Sequence, residues 1–126
     1  MPSDQLRSET YGPTLVVHVG PHYDSLDEHL LDEVQNYLLA CADAKETRNM
    51  VVDLSNTSFF GSGFIEVLFR AYNRIKRKAG KFALSGLKPN PKKVILVSRL
   101  DTIWQIYSTV QEAVQGLAGQ TDPHKS

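Results

Sequence analysis

The run Met50-Val51-Val52-Asp53-Leu54 carries four apolar side chains in five positions, without alternation of polar and apolar character. A half-exposed strand needs a polar residue at every second position, so this run must be covered on both faces. The chain therefore has to supply helices to both sides of a sheet. This requirement narrows the possible folds more than any other feature.

The neighbouring segments meet it. Thr14 to Val19 (TLVVHV) is β-branched and apolar between the breakers Gly12-Pro13 and Gly20-Pro21, and Leu6 to Tyr11 reads as its hairpin partner. Ser25 and Glu28 have the spacing of a capping box, which predicts a helix start at Ser25. Leu26, Leu30, Leu31, Val34, Leu38 and Cys41 then recur at three- and four-residue steps, one stripe of an amphipathic helix. Phe64, Val67, Leu68, Ala71, Tyr72 and Ile75 form a second such stripe, predicted to end near Ala79-Gly80 with Gly80 as a left-handed cap.

Lys81 to Ser85 reads as a further strand. Asn90 and Pro91 suit the cap and first position of a short helix carrying Val94, Ile95 and Val97. Ile103 to Tyr107 is the last expected strand, and Thr109 with Glu112 forms a second capping box before Val110, Ala113, Val114 and Leu117. The order β-β-α-β-α-β-α-β-α predicts an α/β domain with a mostly parallel four- to five-stranded sheet. Its expected extent is residues 1–118, the first strand or an arm lying within 1–13, with a disordered tail over 119–126.

Charge and cysteine content exclude several functions. Lys plus Arg and Asp plus Glu both total 14, so no net field holds a polyanion over the whole surface. The basic run Asn73 to Lys78 with Lys81 sits at a helix end, where cations complement the dipole, and direct nucleic-acid binding is not expected. The single Cys41 excludes an internal disulfide and a multi-thiolate zinc site. No apolar run approaches the roughly 18 residues of a membrane span, and Met1 to Gln5 lacks the order of a signal peptide. A cytoplasmic protein without membrane contact is expected.

Candidate chemistry is sparse. His18, His22, Asp24 and His29 fall on a strand, a loop and a helix without a ligand spacing such as HExxH, so no metal site is expected. Gly61-Ser62-Gly63 lacks both the lysine of a phosphate-binding loop and the GxSxG order of a hydrolase elbow. No base pattern accompanies Ser62, and the chain does not read as an enzyme. Ser62 nevertheless stands between a strand-end turn and a helix start, where backbone N–H groups and the positive dipole end gather. Two roles fit that place: a phosphate-bearing serine, or an ordinary helix N-cap.

The segment Val52-Asp53-Leu54-Ser55-Asn56-Thr57-Ser58-Phe59-Phe60-Gly61-Ser62-Gly63-Phe64-Ile65 resembles the strand-turn-helix signature of STAS domains, the bacterial anti-sigma-factor antagonists, written DLSxVxFxDSSGL. The similarity continues through Leu100-Asp101, Ile106-Tyr107 and Thr109 to Ala113 and spans Thr14 to Leu117. It implies a regulatory domain without cofactor, whose Ser62 is phosphorylated by an anti-sigma kinase and whose unphosphorylated form binds that kinase. The partner-binding loop would then comprise Ser58, Phe60, Gly61, Ser62, Gly63 and Phe64. An anti-sigma factor or kinase-like protein is the expected partner, and the chain itself a monomer or weak homodimer. The sequence departs from the signature at Gly61, where the family has aspartate, at Gly63, where it has serine or threonine, and at Phe64, where it has glycine. Those departures leave open a phosphorylation-independent scaffold domain with a degenerate loop. A nucleotide or small anion at the same helix start is a third reading.

Overall fold

The computed structural model describes residues 5–26 and 28–119. Its centre is a five-stranded sheet in the order β1-β2-β4-β6-β7, built from β1 (Leu6–Tyr11), β2 (Thr14–Val19), β4 (Asn49–Asp53), β6 (Phe82–Ser85) and β7 (Gln105–Tyr107). β1 pairs antiparallel with β2 through the two-residue turn Gly12-Pro13, with Tyr11 opposite Thr14. Gly12 has φ +62°, a conformation a glycine adopts without the Cβ penalty. The other three pairings are parallel. A two-residue strand β3 (Ser25–Leu26) pairs in parallel with β5 (Phe59–Phe60) outside the main sheet.

The double coverage demanded by residues 50–54 is present. Met50, Val52 and Leu54 enter one apolar core with buried residues of α1 (Glu28–Asp43), α2 (Ser62–Arg77) and α3 (Pro89–Val97). Val51 faces the opposite way, into a smaller core with Val16, Ala83 and the buried Ala113 and Leu117 of α4 (Val110–Gly119). Each fully buried aliphatic side chain contributes about 1.5–3 kcal/mol. Three helices on one face and one on the other fix the strands' register, since a one-residue slip would exchange the two cores.

Several boundaries differ from expectation. Ser25 does not cap α1; it lies in β3, and the helix begins at Glu28. Pairing with β5 competes with capping there, and Ser25 sits opposite Phe59. The partnering role expected of Glu28 lies outside the described side chains. α3 begins at Pro89, with Lys88 rather than Asn90 at the N-cap position and no side-chain cap.

The end of α2 also differs. The left-handed residue is Ala79 at φ +63°, not Gly80. The Ala79 N–H bonds the Lys76 carbonyl at 2.9 Å and the Gly80 N–H the Ile75 carbonyl at 3.0 Å, the pairing of a Schellman end. Gly80 is needed for another reason: a Cβ there would lie 1.7 Å from the Arg48 carbonyl oxygen. The second capping box forms in part: Glu112 N–H reaches Thr109 Oγ1 at 3.1 Å, while the Glu112 carboxylate accepts from Ser108 N–H at 3.3 Å, one residue before the Thr109 cap. α4 runs to Gly119, one residue into the expected tail, and residues 120–126 lie outside the described residues.

Candidate partner-docking site

The turn between β4 and α2 carries the signature residues, and a segment far away in sequence holds it in place. The Asp24 carbonyl accepts the N–H groups of Ser58 at 2.7 Å and Phe59 at 3.1 Å. Its carboxylate oxygen Oδ1 accepts the Ser58 hydroxyl at 2.6 Å, and Lys88 Nζ donates to the same hydroxyl oxygen at 3.3 Å. Buried Thr57 adds a bond from Oγ1 to the Tyr23 carbonyl at 3.3 Å. Three chain segments thus converge on Ser58, which acts as an anchor of the turn.

Tyr23, whose carbonyl accepts from Thr57, is buried and donates its hydroxyl to Glu33 Oε1 at 2.9 Å. Burial, reinforced by the Glu33 hydrogen bond, pushes its phenol up to about 12.

Ser62 is exposed and occupies the first position of α2. It is not the N-cap: Gly61 holds that place with extended backbone at φ −111° and ψ −164°, and no side chain caps the helix. The N–H groups of Phe64 and Ile65 both reach the Gly61 carbonyl, at 3.2 and 3.3 Å. The N–H groups of Ser62 and Gly63 thus belong to the orphan donors of this helix start. A negative group on Ser62 would meet these donors and the positive end of the helix dipole.

The two glycines around Ser62 differ in cause. A Cβ at Gly61 would meet nothing within 4 Å, so the missing side chain leaves open space. A Cβ at Gly63 would lie 2.6 Å from Leu31 Cδ1, so here glycine lets α1 and α2 approach closely.

Phe60 and Phe64 are buried against each other, ring centroids 5.1 Å apart, and offer no surface to a partner. That expectation is corrected: pairing of Leu26 with Phe60 turns the Phe60 ring inward. Phe59, absent from the expected set, is 57% exposed. Asn90, Lys93, Val94, Val97 and Ser98 of the α3 segment join it around a shallow groove of about 530 Å³. Val97, 76% exposed, extends the apolar surface, and α3 carries Lys92 and Lys93 without an acidic residue.

The remaining candidates serve the fold. The ring nitrogens of His18 lie 2.7 Å from Asp53 Oδ2 (Nδ1) and 2.8 Å from Glu9 Oε1 (Nε2), joining β1, β2 and β4, and whichever nitrogen carries a proton donates it to its carboxylate. The His18 bond first, and second the Tyr11 hydroxyl donated to Glu9 Oε1 at 3.1 Å, hold the Glu9 carboxyl below its ordinary range. His22 is exposed and lies edge-on to Tyr23, while the side chain of His29 lies outside the described residues. Among the described residues no group of three metal-ligating side chains could hold an ion. In the basic run, Arg74 pairs with Asp43 at 2.5 Å, and Lys78 caps the Ala44 and Thr47 carbonyls at 2.8 and 2.7 Å. No described helix is long and apolar enough to cross a membrane.

A family model described as the STAS domain matches residues 6–113. The chain belongs to the STAS family. Among solved structures it is similar to an anti-sigma-factor antagonist (STAS) domain protein from Planctomyces limnophilus, with 32% identity, TM-score 0.84, 90% of this chain and 98% of that one. An anti-sigma factor antagonist from Mycobacterium paratuberculosis matches at 21% identity and TM-score 0.77, over 90% and 93% of the two chains. The Bacillus cell fate determinant SpoIIAA in its phosphorylated form matches at 19% identity and TM-score 0.67, over 87% and 96%. At those lower identities the likeness is one of fold. The α/β architecture inferred from sequence is therefore that of a STAS domain, resembling the anti-sigma-factor antagonists.

Anchors of this STAS turn that sequence reasoning missed are Asp24 and Lys88. Each lies 30 or more residues from Ser58, and no local pattern marks the contact. Phe59 had a signal, since adjacent residues of a strand face opposite ways, but the pattern does not say which of the pair points inward.

Proposed function

We propose that this STAS domain is a non-catalytic, cytoplasmic regulator that binds an anti-sigma factor or kinase-like protein through the turn Ser58 to Gly63 and the adjoining surface of α3. Phosphorylation of Ser62 releases that partner. The observation that carries this reading is the placement of Ser62, exposed at the first position of α2 and three residues after the exposed Phe59. A phosphate there adds about −1.5 to −2 charges at a helix N-terminus, which tolerates them, so the fold survives while the docking surface loses positive charge. Phe59 and Val97 supply the apolar contact, and Lys93 in the same groove, with Lys88 at the turn, favours a partner with acidic groups around its own apolar patch. Ser58, bonded to Asp24 and Lys88, positions the turn rather than receiving the phosphate.

The test is capture of partners from native cells with wild type, Ser62→Ala and Ser62→Asp, together with phosphosite mapping of the native protein. Retention by Ser62→Ala and loss by Ser62→Asp is the expected outcome. Equal capture by both variants would sink the switch and favour a constitutive scaffold with the same surface.

A further inference from the structure

The two edges of the main sheet are guarded unequally. β7 is three residues long, too short to template much pairing. β1 has six residues, five of them exposed, and contains no proline, lysine or bulge of the kind that usually blunts an edge. Its register with β2 is unbroken, and among the described residues no strand pairs with its outer side.

The tight turn fixes which groups face outward. In a two-residue hairpin the closing pair, Tyr11 and Thr14, exchanges backbone hydrogen bonds, and bonded and non-bonded pairs alternate from there. Arg7, Glu9 and Tyr11 therefore direct their backbone groups to β2, while Leu6, Ser8 and Thr10 direct theirs outward.

Charge then selects the occupant. An antiparallel copy of the same strand, placed about a two-fold axis through Ser8, sets each Arg7 opposite the Glu9 of the other copy. Those positions form non-bonded pairs in the new ladder, where side chains approach most closely, and the two Ser8 residues exchange the central backbone bonds. Arg7 is half exposed and sits 3.4 Å from Glu9 Oε2 of its own chain, a solvent-exposed pair it would exchange for the equivalent one across the axis. The pattern Leu6-Arg7-Ser8-Glu9-Thr10 is self-complementary, as an isologous contact requires.

We propose that β1 is a homodimerisation edge, pairing antiparallel with β1 of a second copy about Ser8 to give one continuous ten-stranded sheet. The pairing goes beyond the Ser62 reading and does not depend on it. Strand-edge pairing alone buries less than the roughly 1,200 Å² of a standard interface, so the dimer is weak, with Kd between about 1 μM and 1 mM.

Sedimentation equilibrium of the purified chain over that concentration range tests the proposal. Wild type is expected to dimerise, and Ser62→Asp to dimerise equally. Arg7→Glu sets two like-charged pairs across the axis and is expected to weaken the dimer at least tenfold. Ser8→Pro removes the central outward donor and is expected to abolish it. Mixing Arg7→Glu chains with Glu9→Arg chains restores opposite charges across the axis and is expected to restore association. A wild type that stays monomeric up to 1 mM, or an Arg7→Glu variant that associates as wild type does, overturns the proposal whatever the fate of Ser8→Pro.

Discussion

Phe59 and Phe60 are consecutive residues of one two-residue strand, yet Phe59 is 57% exposed and Phe60 only 2%. Pairing of β5 with β3 sets this division: Phe60 opposite Leu26 faces the core, and Phe59 opposite Ser25 faces out beside α3. The pair thus separates a residue that holds the turn from one that presents it.

Truncating each ring should give opposite results. Phe60→Ala is expected to lose about 3–5 kcal/mol of stability, as large core truncations do. Phe59→Ala should stay within about 0.5 kcal/mol of wild type and reduce partner affinity about tenfold or more. Urea unfolding with partner titration checks both; a Phe59→Ala protein that binds normally would remove the α3 groove from the docking surface.

Restoring the family residues around Ser62 should also split. Gly61 is the N-cap of α2 with open space around it, so Gly61→Asp is expected to stabilise by about 0.5–1 kcal/mol through capping and the helix dipole. Gly63→Ser forces Leu31 to another rotamer and should destabilise by about 0.5–1.5 kcal/mol. Thermal unfolding of the two single variants decides it, and equal shifts in Tm would show that the helix contact at Gly63 is looser than described.

The end of α2 makes a paired prediction. Ala79 has the left-handed conformation at φ +63°, so Ala79→Gly should stabilise by about 1 kcal/mol. At Gly80 the Arg48 carbonyl leaves no room, and Gly80→Ala should destabilise by at least about 2 kcal/mol. Chemical denaturation of both variants measures the contrast; a neutral Gly80→Ala would contradict the close approach.

Tyr23 predicts an alkaline limit. Its folded pKa of about 12 stands above the ordinary value of 10. Below pH 10 both folded and unfolded states keep the proton, and the stabilisation is fully present. Between about 10 and 12 the unfolded phenol ionises first, so stability falls as pH rises. Tyr23→Phe should lack this component, and the stability difference between wild type and variant should change across that window. A constant difference from pH 9 to 12 would mean that Tyr23 does not resist ionisation.

By itself the sequence determined the architecture of this STAS domain. Residues 50–54 demanded cover on two faces, the stripes through Val34 and Leu68 supplied it, and Thr109 with Glu112 marked the last helix, all through periodicities set by local backbone geometry. It also located Ser62 at a strand-turn-helix junction, because turn and cap chemistry are local. Only the tertiary structure decided what surrounds that serine. Asp24 and Lys88 reach Ser58 across 34 and 30 residues, the Ser25–Phe59 pairing chose which phenylalanine faces out, and the Arg48 carbonyl explained Gly80. Such contacts depend on how elements dock, and docking is a property of the assembled packing that no sequence window contains.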